Sequence, residues 1–177
     1  EILTYTQLDA QRVIAARALI VLGVQPSDRV AIWAQNTGEW VIAALAVLSV
    51  GAVLVPVNPR MRGQEVAYVL ERSHDKVLFS SGQFLDQYFP AQLAAHRPAA
   101  LEHLIVLRDA QAGDVTWAEF LARPEGVSAD EVHRRAAAIK PDDLMDIMFT
   151  SGTTGQPKGV MSAHAQNLRA SHEWGKR

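Results

Sequence analysis

The sequence predicts an α/β fold: a layered, mostly parallel sheet flanked by helices. The first observation is a recurrence of four short apolar runs rich in β-branched residues: Arg29–Ala34, Ala52–Val55, Lys76–Ser80 and His103–Leu107. The second is their spacing of about 23 to 27 residues, enough for a crossover helix between parallel strands. The third is that hydrophobicity within each run is continuous rather than alternating, which is typical of strands covered on both faces. Right-handed crossovers follow from the chirality of such units.

The segments between these runs have helical patterns. In Gln7–Leu22 the apolar residues recur on one face, Thr6 is placed to cap the start, and Gly23 is placed to end the helix. We expect further helices at Thr37–Val50, Gly63–Arg72 and Phe84–Ala95.

The last third of the chain continues the pattern and then changes it. A short helix around Trp117–Leu121 and a helix over Ser128–Ile139 precede a break at Lys140-Pro141-Asp142-Asp143. This break divides the chain into an α/β subdomain over 1–140 and the start of a second subdomain over 141–177. The second unit is predicted to contain a strand at Leu144–Phe149, a strand at Gly159–Ser162 and a helix at Ala163–Trp174.

Composition excludes several classes of function. The formal net charge of −2 over 177 residues gives no basic footprint for nucleic acid. The absence of cysteine excludes disulfides and thiolate metal sites and is consistent with a cytoplasmic protein. The uncharged stretch from Trp40 to Pro59 invites a transmembrane interpretation. However, its composition changes at Gly51 from Ala- and Leu-rich to Val-rich, so a buried helix followed by a strand is the better prediction.

The segment 150–159 indicates an anion-binding loop. It holds four hydroxyl side chains, three glycines, one lysine and no acid. Glycines let backbone N–H groups converge on one point, hydroxyls donate hydrogen bonds, and Lys158 offers a charge to phosphate oxygens. The loop fits neither the Walker pattern nor the dinucleotide fingerprint. A plain connecting loop is the alternative that composition alone leaves open.

The order of residues within this loop suggests a family. The string Phe-Thr-Ser-Gly-Thr-Thr-Gly-Gln-Pro-Lys-Gly-Val at 149–160 resembles the AMP-binding signature of the acyl-adenylating superfamily. Leu3-Thr4-Tyr5-Thr6-Gln7-Leu8 and Gly51–Pro59 are similar to two earlier family blocks, in the expected order. Within the superfamily, the Val-Asn-Pro ending at 57–59 looks most like a bacterial fatty-acyl-CoA synthetase.

The resemblance implies a fold and a reaction. The fold would be part of the large N-terminal domain of acyl-CoA synthetases. A carboxylic acid would be activated by ATP as an acyl-adenylate and then transferred to coenzyme A, with Mg²⁺ assisting. The phosphate-binding residues implied are Thr150, Ser151, Gly152, Thr153, Thr154, Gly155 and Lys158.

Several residues have competing interpretations. Thr150 is a weaker candidate ligand for Mg²⁺, since a residue at a strand end also satisfies local backbone groups. Gly159 is expected to serve strand entry, and His164 to cap or pack the last helix. Asp142, Asp143 and Asp146 suggest a metal cluster, although a turn and helix stop is the preferred interpretation.

The resemblance covers roughly the first third of a typical member, so no catalytic residue is expected in this chain. We therefore expect the isolated chain to be inactive, and exposed sheet edges favour its self-association as a homodimer or larger assembly. Other acyl-adenylating enzymes, such as peptide synthetase adenylation domains or aryl-CoA ligases, remain open. So do a phosphoryl-transfer enzyme and a non-catalytic interaction module.

Overall fold

The computed structural model describes residues 2–150 and 155–176. In chain order the elements are α1 (Tyr5–Val21), β1 (Arg29–Trp33), α2 (Gly38–Ser49), β2 (Val53–Val57), α3 (Gly63–Ser73), β3 (Asp75–Ser80), β4 (Gln83–Phe84), β5 (Gln87–Tyr88), α4 (Phe89–Ala94), β6 (His103–Val106), β7 (Val115–Thr116), α5 (Trp117–Leu121), α6 (Ala129–Ala137), β8 (Leu144–Thr150), β9 (Lys158–Ala163) and α7 (His164–Gly175).

A seven-stranded sheet organises the molecule, in the order β7-β6-β3-β1-β2-β8-β9. Every neighbouring pair is parallel except β8 with β9, which is antiparallel. The predicted layered, mostly parallel sheet is therefore confirmed. The four apolar runs form β1, β2, β3 and β6, because helices linking them return the chain to the same end of the sheet.

Two apolar cores lie on opposite faces of this sheet. One contains α1, α2 and α6 packed against side chains such as Ile32 and Leu54. The other contains α3 and α4 packed against the alternate side chains of the same strands, such as Ala31 and Val55. In the second core the rings of Trp33 and Phe89 stack with centroids 3.9 Å apart. Burial on both faces is why these strands read as continuous apolar runs.

Two local predictions differ from the structure. Helix α1 is capped by Thr4, not Thr6, because the Thr4 hydroxyl accepts from the Gln7 backbone while the Gln7 side chain accepts from the Thr4 backbone. The segment predicted as one helix over Phe84–Ala95 begins instead with the β4–β5 hairpin. Its turn residues Leu85 and Asp86 have φ of 46° and 59°, which a right-handed helix excludes.

The acidic residues around 142–146 do not form one feature. Asp143 stays in the predicted turn, where its carboxylate accepts from the Lys140 backbone at 2.8 Å. Asp146 lies in β8, is 9% exposed, and accepts a hydrogen bond of 2.7 Å from the Asn167 side chain. The turn interpretation was therefore wrong for Asp146. The described residues contain no group of three or more acidic or histidine side chains suited to a metal ion.

The division at residue 140 stays a prediction. Strand β8 follows it and joins the same sheet as β2, with Leu54 opposite Asp146. Among the helices that the structure describes, none is long and apolar enough to cross a membrane.

Candidate phosphate-binding site

The predicted loop connects β8 and β9 at one end of their antiparallel ladder. Thr150 ends β8 and lies opposite Lys158, which begins β9. Ser151, Gly152, Thr153 and Thr154 fall outside the described residues. The structure thus brings Thr150 and Lys158 together as a facing pair at the base of the loop. The predicted strand–loop–strand arrangement is confirmed at the residues that flank it.

Thr150 and Lys158 present their side chains on one face of the hairpin, because directly opposite residues of an antiparallel pair share a face. Both are exposed, and so is Gly155. A side-chain carbon built onto Gly155 would meet no atom of the described residues within 4 Å. The face therefore offers a hydroxyl and an ammonium group at one place, which suits an anion.

The opposite face of the same hairpin is partly covered by the half-buried side chains of Ile147 and Phe149, while Met161 on that face is 68% exposed. Phe149 lies opposite Gly159 in the ladder. A Cβ on Gly159 would lie 2.9 Å from the Ile147 side chain and 3.3 Å from the Phe149 ring. Gly159 is therefore required so that these side chains can cover the strand. Strand entry was the expectation for Gly159; the ring packed over it depends on strand register, which the sequence alone did not reveal.

Helix α3 supports the partly covered face of the hairpin. The Tyr68 hydroxyl lies 3.4 Å from the Pro157 carbonyl oxygen, to which it donates. Tyr68 and Arg72, one helical turn apart, line a cleft of about 520 Å³ whose other wall includes Phe149 and Lys158. No sequence motif singled out Tyr68, because the contact joins residues 89 positions apart.

Hydrogen bonds hold helix α7 against strand β8 and the turn that precedes it. The His164 backbone N–H donates to the Asp143 carbonyl at 3.1 Å, and the Asn167 side chain donates to Asp146 at 2.7 Å. His164 is thus the first residue of α7 and is half-buried. This position fits the expected packing role at the helix start. His164 and Asn167 form a His-x-x-Asn spacing in the sequence, and the fold shows Asp146 as the partner of Asn167.

The most perturbed carboxyl group belongs to the scaffold and not to the loop. Asp75 begins β3 and is fully buried, and burial raises its pKa from 3.8 to about 7. A hydrogen bond from the Ser73 hydroxyl and the charge of Arg29 oppose this rise. Among the residues that the structure describes, the second carboxylate oxygen of Asp75 has no hydrogen-bond partner. Desolvation is therefore the dominant cause.

The described residues offer little to a magnesium ion by themselves. Mg²⁺ prefers oxygen ligands and usually combines one or two protein oxygens with phosphate oxygens and water. The exposed Thr150 hydroxyl is one such oxygen at the base of the loop. The arrangement fits a metal held chiefly by phosphates of a bound nucleotide.

Comparison with known proteins shows where this geometry occurs. The family model described as AMP-binding enzyme matches residues 1–176. The chain belongs to the AMP-binding enzyme family.

Curated relatives within the family are CoA ligases. A (methyl-dioxo-octahydro-indenyl)propanoyl:CoA ligase of Mycobacterium tuberculosis is 48% identical over 160 residues, covering 90% of this chain and 31% of the relative. A ligase of the same description from Rhodococcus jostii is 40% identical over 179 residues, covering 98% of this chain and 35% of the relative. The chain thus spans about a third of the length of the relatives that it matches.

Solved structures of this family share the fold. A Mycobacterium tuberculosis fatty acyl CoA synthetase superposes with a TM-score of 0.77 at 27% identity, over 98% of this chain and 32% of that one. Its similarity confirms the predicted relation to the N-terminal domain of acyl-CoA synthetases.

Proposed function

We propose that this chain is the phosphate-binding part of an ATP-dependent acyl-CoA synthetase. The observation that carries the proposal is the facing of Thr150 and Lys158 across the base of the loop, on the exposed face of the β8–β9 hairpin. The family of the chain and the CoA-ligase activity of its relatives support it.

The proposed reaction has two steps. A carboxylate oxygen attacks the α-phosphorus of ATP, the bond from that phosphorus to the bridging oxygen breaks, and pyrophosphate leaves with the electron pair. The acyl-adenylate is then attacked at its carbonyl carbon by the thiolate of coenzyme A. AMP departs, and a thioester remains after the thiol has lost its proton.

The loop would act on the leaving group in the first step. Negative charge grows on the departing pyrophosphate, so preorganised donors around the β- and γ-phosphates lower the barrier. We assign this role to Thr150, Ser151, Gly152, Thr153, Thr154, Gly155 and Lys158. Mg²⁺ would share the charge on the phosphates, with the Thr150 hydroxyl as its protein ligand. No described residue is assigned to the acyl-transfer chemistry itself.

The acid substrate is proposed from the relatives. Two relatives, 48% and 40% identical to this chain, are named for a propanoyl group on a methylated bicyclic diketone. We therefore place a fused-ring propanoic acid first among candidate substrates, followed by fatty acids.

The reaction would take place in the cytoplasm. The isolated chain is proposed to be inactive and to self-associate through its exposed strand β9.

The test is acid-dependent ATP–pyrophosphate exchange by the full-length enzyme that contains this chain. Lys158→Ala is expected to lower exchange by about tenfold or more, because a charge-assisted contact to phosphate contributes about 1.5–3 kcal/mol. Lys176→Ala is the matched control, since Lys176 immediately follows α7 and pairs with Glu173 at 2.8 Å.

Three outcomes separate the proposal from its alternatives. Exchange with a fused-ring or fatty acid, weakened only by Lys158→Ala, supports it. Release of orthophosphate in place of pyrophosphate would favour a phosphoryl-transfer enzyme. Absence of nucleotide binding and of exchange with every acid would favour an interaction module.

A further inference from the structure

We propose that Tyr68 is a positioning residue for the phosphate loop, acting through the carbonyl group of Pro157. The proposal rests on the proposed function and adds a residue outside the loop to it. It assigns to helix α3 the task of holding the exit of the loop, so that the other face stays open to the nucleotide.

The first observation is that the two faces of the β8–β9 hairpin bear different side chains. Thr150 and Lys158 lie on the exposed face, whereas Phe149 and Gly159 lie on the face toward α3. The face toward α3 bears the ring of Phe149 and borders the cleft that Tyr68 lines. It can hold the backbone in place, and it is the face from which Tyr68 reaches the loop.

The second observation is the position of Pro157. This residue immediately precedes Lys158, so a displacement of its carbonyl is transmitted within one peptide unit to the lysine backbone. Pro157 also has a restricted φ, which transmits the displacement rather than absorbing it. The Tyr68 hydroxyl donates to that carbonyl oxygen in a long hydrogen bond of 3.4 Å. This hydrogen bond shortens if the exit of the phosphate loop moves toward α3.

The third observation is that Tyr68 lies on a helix that is packed firmly against the core. Its neighbours Ala67 and Val69 are buried in the core beneath α3, at 9% and 0% exposure. The tyrosine ring is half-buried, and its hydroxyl lies at the edge of the cleft. A hydrogen-bond donor on α3 can restrain the exit of the loop, because folding has already ordered that helix.

The experiment compares Tyr68→Phe with Tyr5→Phe. The first variant removes only the hydroxyl group from the cleft, and the second removes a hydroxyl that is 91% exposed at the start of α1. Amide hydrogen exchange is measured on this chain at Gly155–Gly159, and steady-state kinetics on the full-length enzyme. Both variants are expected to keep the wild-type melting temperature.

Tyr68→Phe is expected to speed amide exchange at Lys158 and Gly159 and to raise KM for ATP by about two- to tenfold, as expected for one hydrogen bond. The KM for the acid should stay unchanged. A general loss of structure would instead raise the KM for ATP and the KM for the acid together. Tyr5→Phe should change neither quantity.

Unchanged amide exchange in Tyr68→Phe would overturn the proposed restraint. Faster exchange with an unchanged KM for ATP would overturn the positioning role and leave a structural contact only. If the full-length enzyme shows no acid-dependent pyrophosphate exchange, the proposed function fails, while the amide-exchange comparison still decides whether Tyr68 restrains the loop exit.

Discussion

The central strands and the β8–β9 hairpin belong to one sheet but are packed very differently. In β1 four of five residues are buried, whereas in β9 the first four residues are exposed. Large apolar side chains of the hairpin remain accessible, including Met148 at 50% and Met161 at 68%. The difference shows that the central strands are covered on both faces, whereas the hairpin is covered only in part, by Ile147 and Phe149 packing against the core.

Close backbone packing in the scaffold gives the prediction with the largest effect. A Cβ on Gly63, the first residue of α3, would lie 2.1 Å from the Gln92 carbonyl oxygen, and that backbone cannot move without shifting α4. Gly63→Ala is expected to cost more than about 4 kcal/mol in free energy of unfolding, measured by urea titration.

The control for this substitution is Gly38→Ala. Gly38 also begins a helix, and a Cβ there would meet nothing within 4 Å. Its expected change is less than about 0.5 kcal/mol, with a gain favoured by the lower entropy of the unfolded chain. Similar costs for the two variants would contradict the view that close helix packing distinguishes the scaffold.

The buried carboxyl group of Asp75 makes the scaffold sensitive to pH. Its pKa is raised from 3.8 to about 7, so the folded state favours the protonated form. The corresponding stability is fully present below about pH 4 and is lost as pH rises through about 7. At about 1.4 kcal/mol per unit of pKa, the loss is on the order of 4 kcal/mol.

Asp75→Asn cannot ionise and isolates this contribution. We expect the free energy of unfolding of the variant, relative to wild type, to increase between pH 4 and about pH 7 and then to level off. Denaturant titrations at several pH values measure the difference. Parallel pH profiles for the two proteins would show that Asp75 does not carry the dependence.

Two glycines of the hairpin segment give the prediction with the smallest expected effect on stability, and the two substitutions are expected to differ from each other. Gly159→Ala forces Ile147 and Phe149 to shift and is expected to cost about 1–3 kcal/mol. Gly155→Ala meets no neighbouring atom of the described residues and is expected to change stability by less than about 0.5 kcal/mol. Thermal unfolding of this chain compares the two.

Nucleotide binding should separate these glycines further. Gly155→Ala places a methyl group on the open face, so weaker ATP binding at unchanged stability is the expected result in the full-length enzyme. A Gly155→Ala variant that binds ATP like wild type would remove Gly155 from the proposed phosphate site.

The α/β architecture was predictable from the sequence because burial on both faces leaves a continuous apolar run in each central strand. Val30 through Trp33 and Val77 through Phe79 show this directly. The local departures have local causes: the turn at Leu85 and Asp86 uses positive φ without a glycine, and Thr4 rather than Thr6 completes a reciprocal cap with Gln7.

The sequence by itself determined which residues make up the loop and that two strands flank it, since composition and order of residues are local properties. Only the tertiary structure decided which face of the hairpin is open. That choice depends on register, which sets Phe149 over Gly159 and Thr150 beside Lys158, and on α3, which brings Tyr68 to Pro157 from 89 positions away. Such pairings are set by packing between distant segments, and no local pattern encodes them.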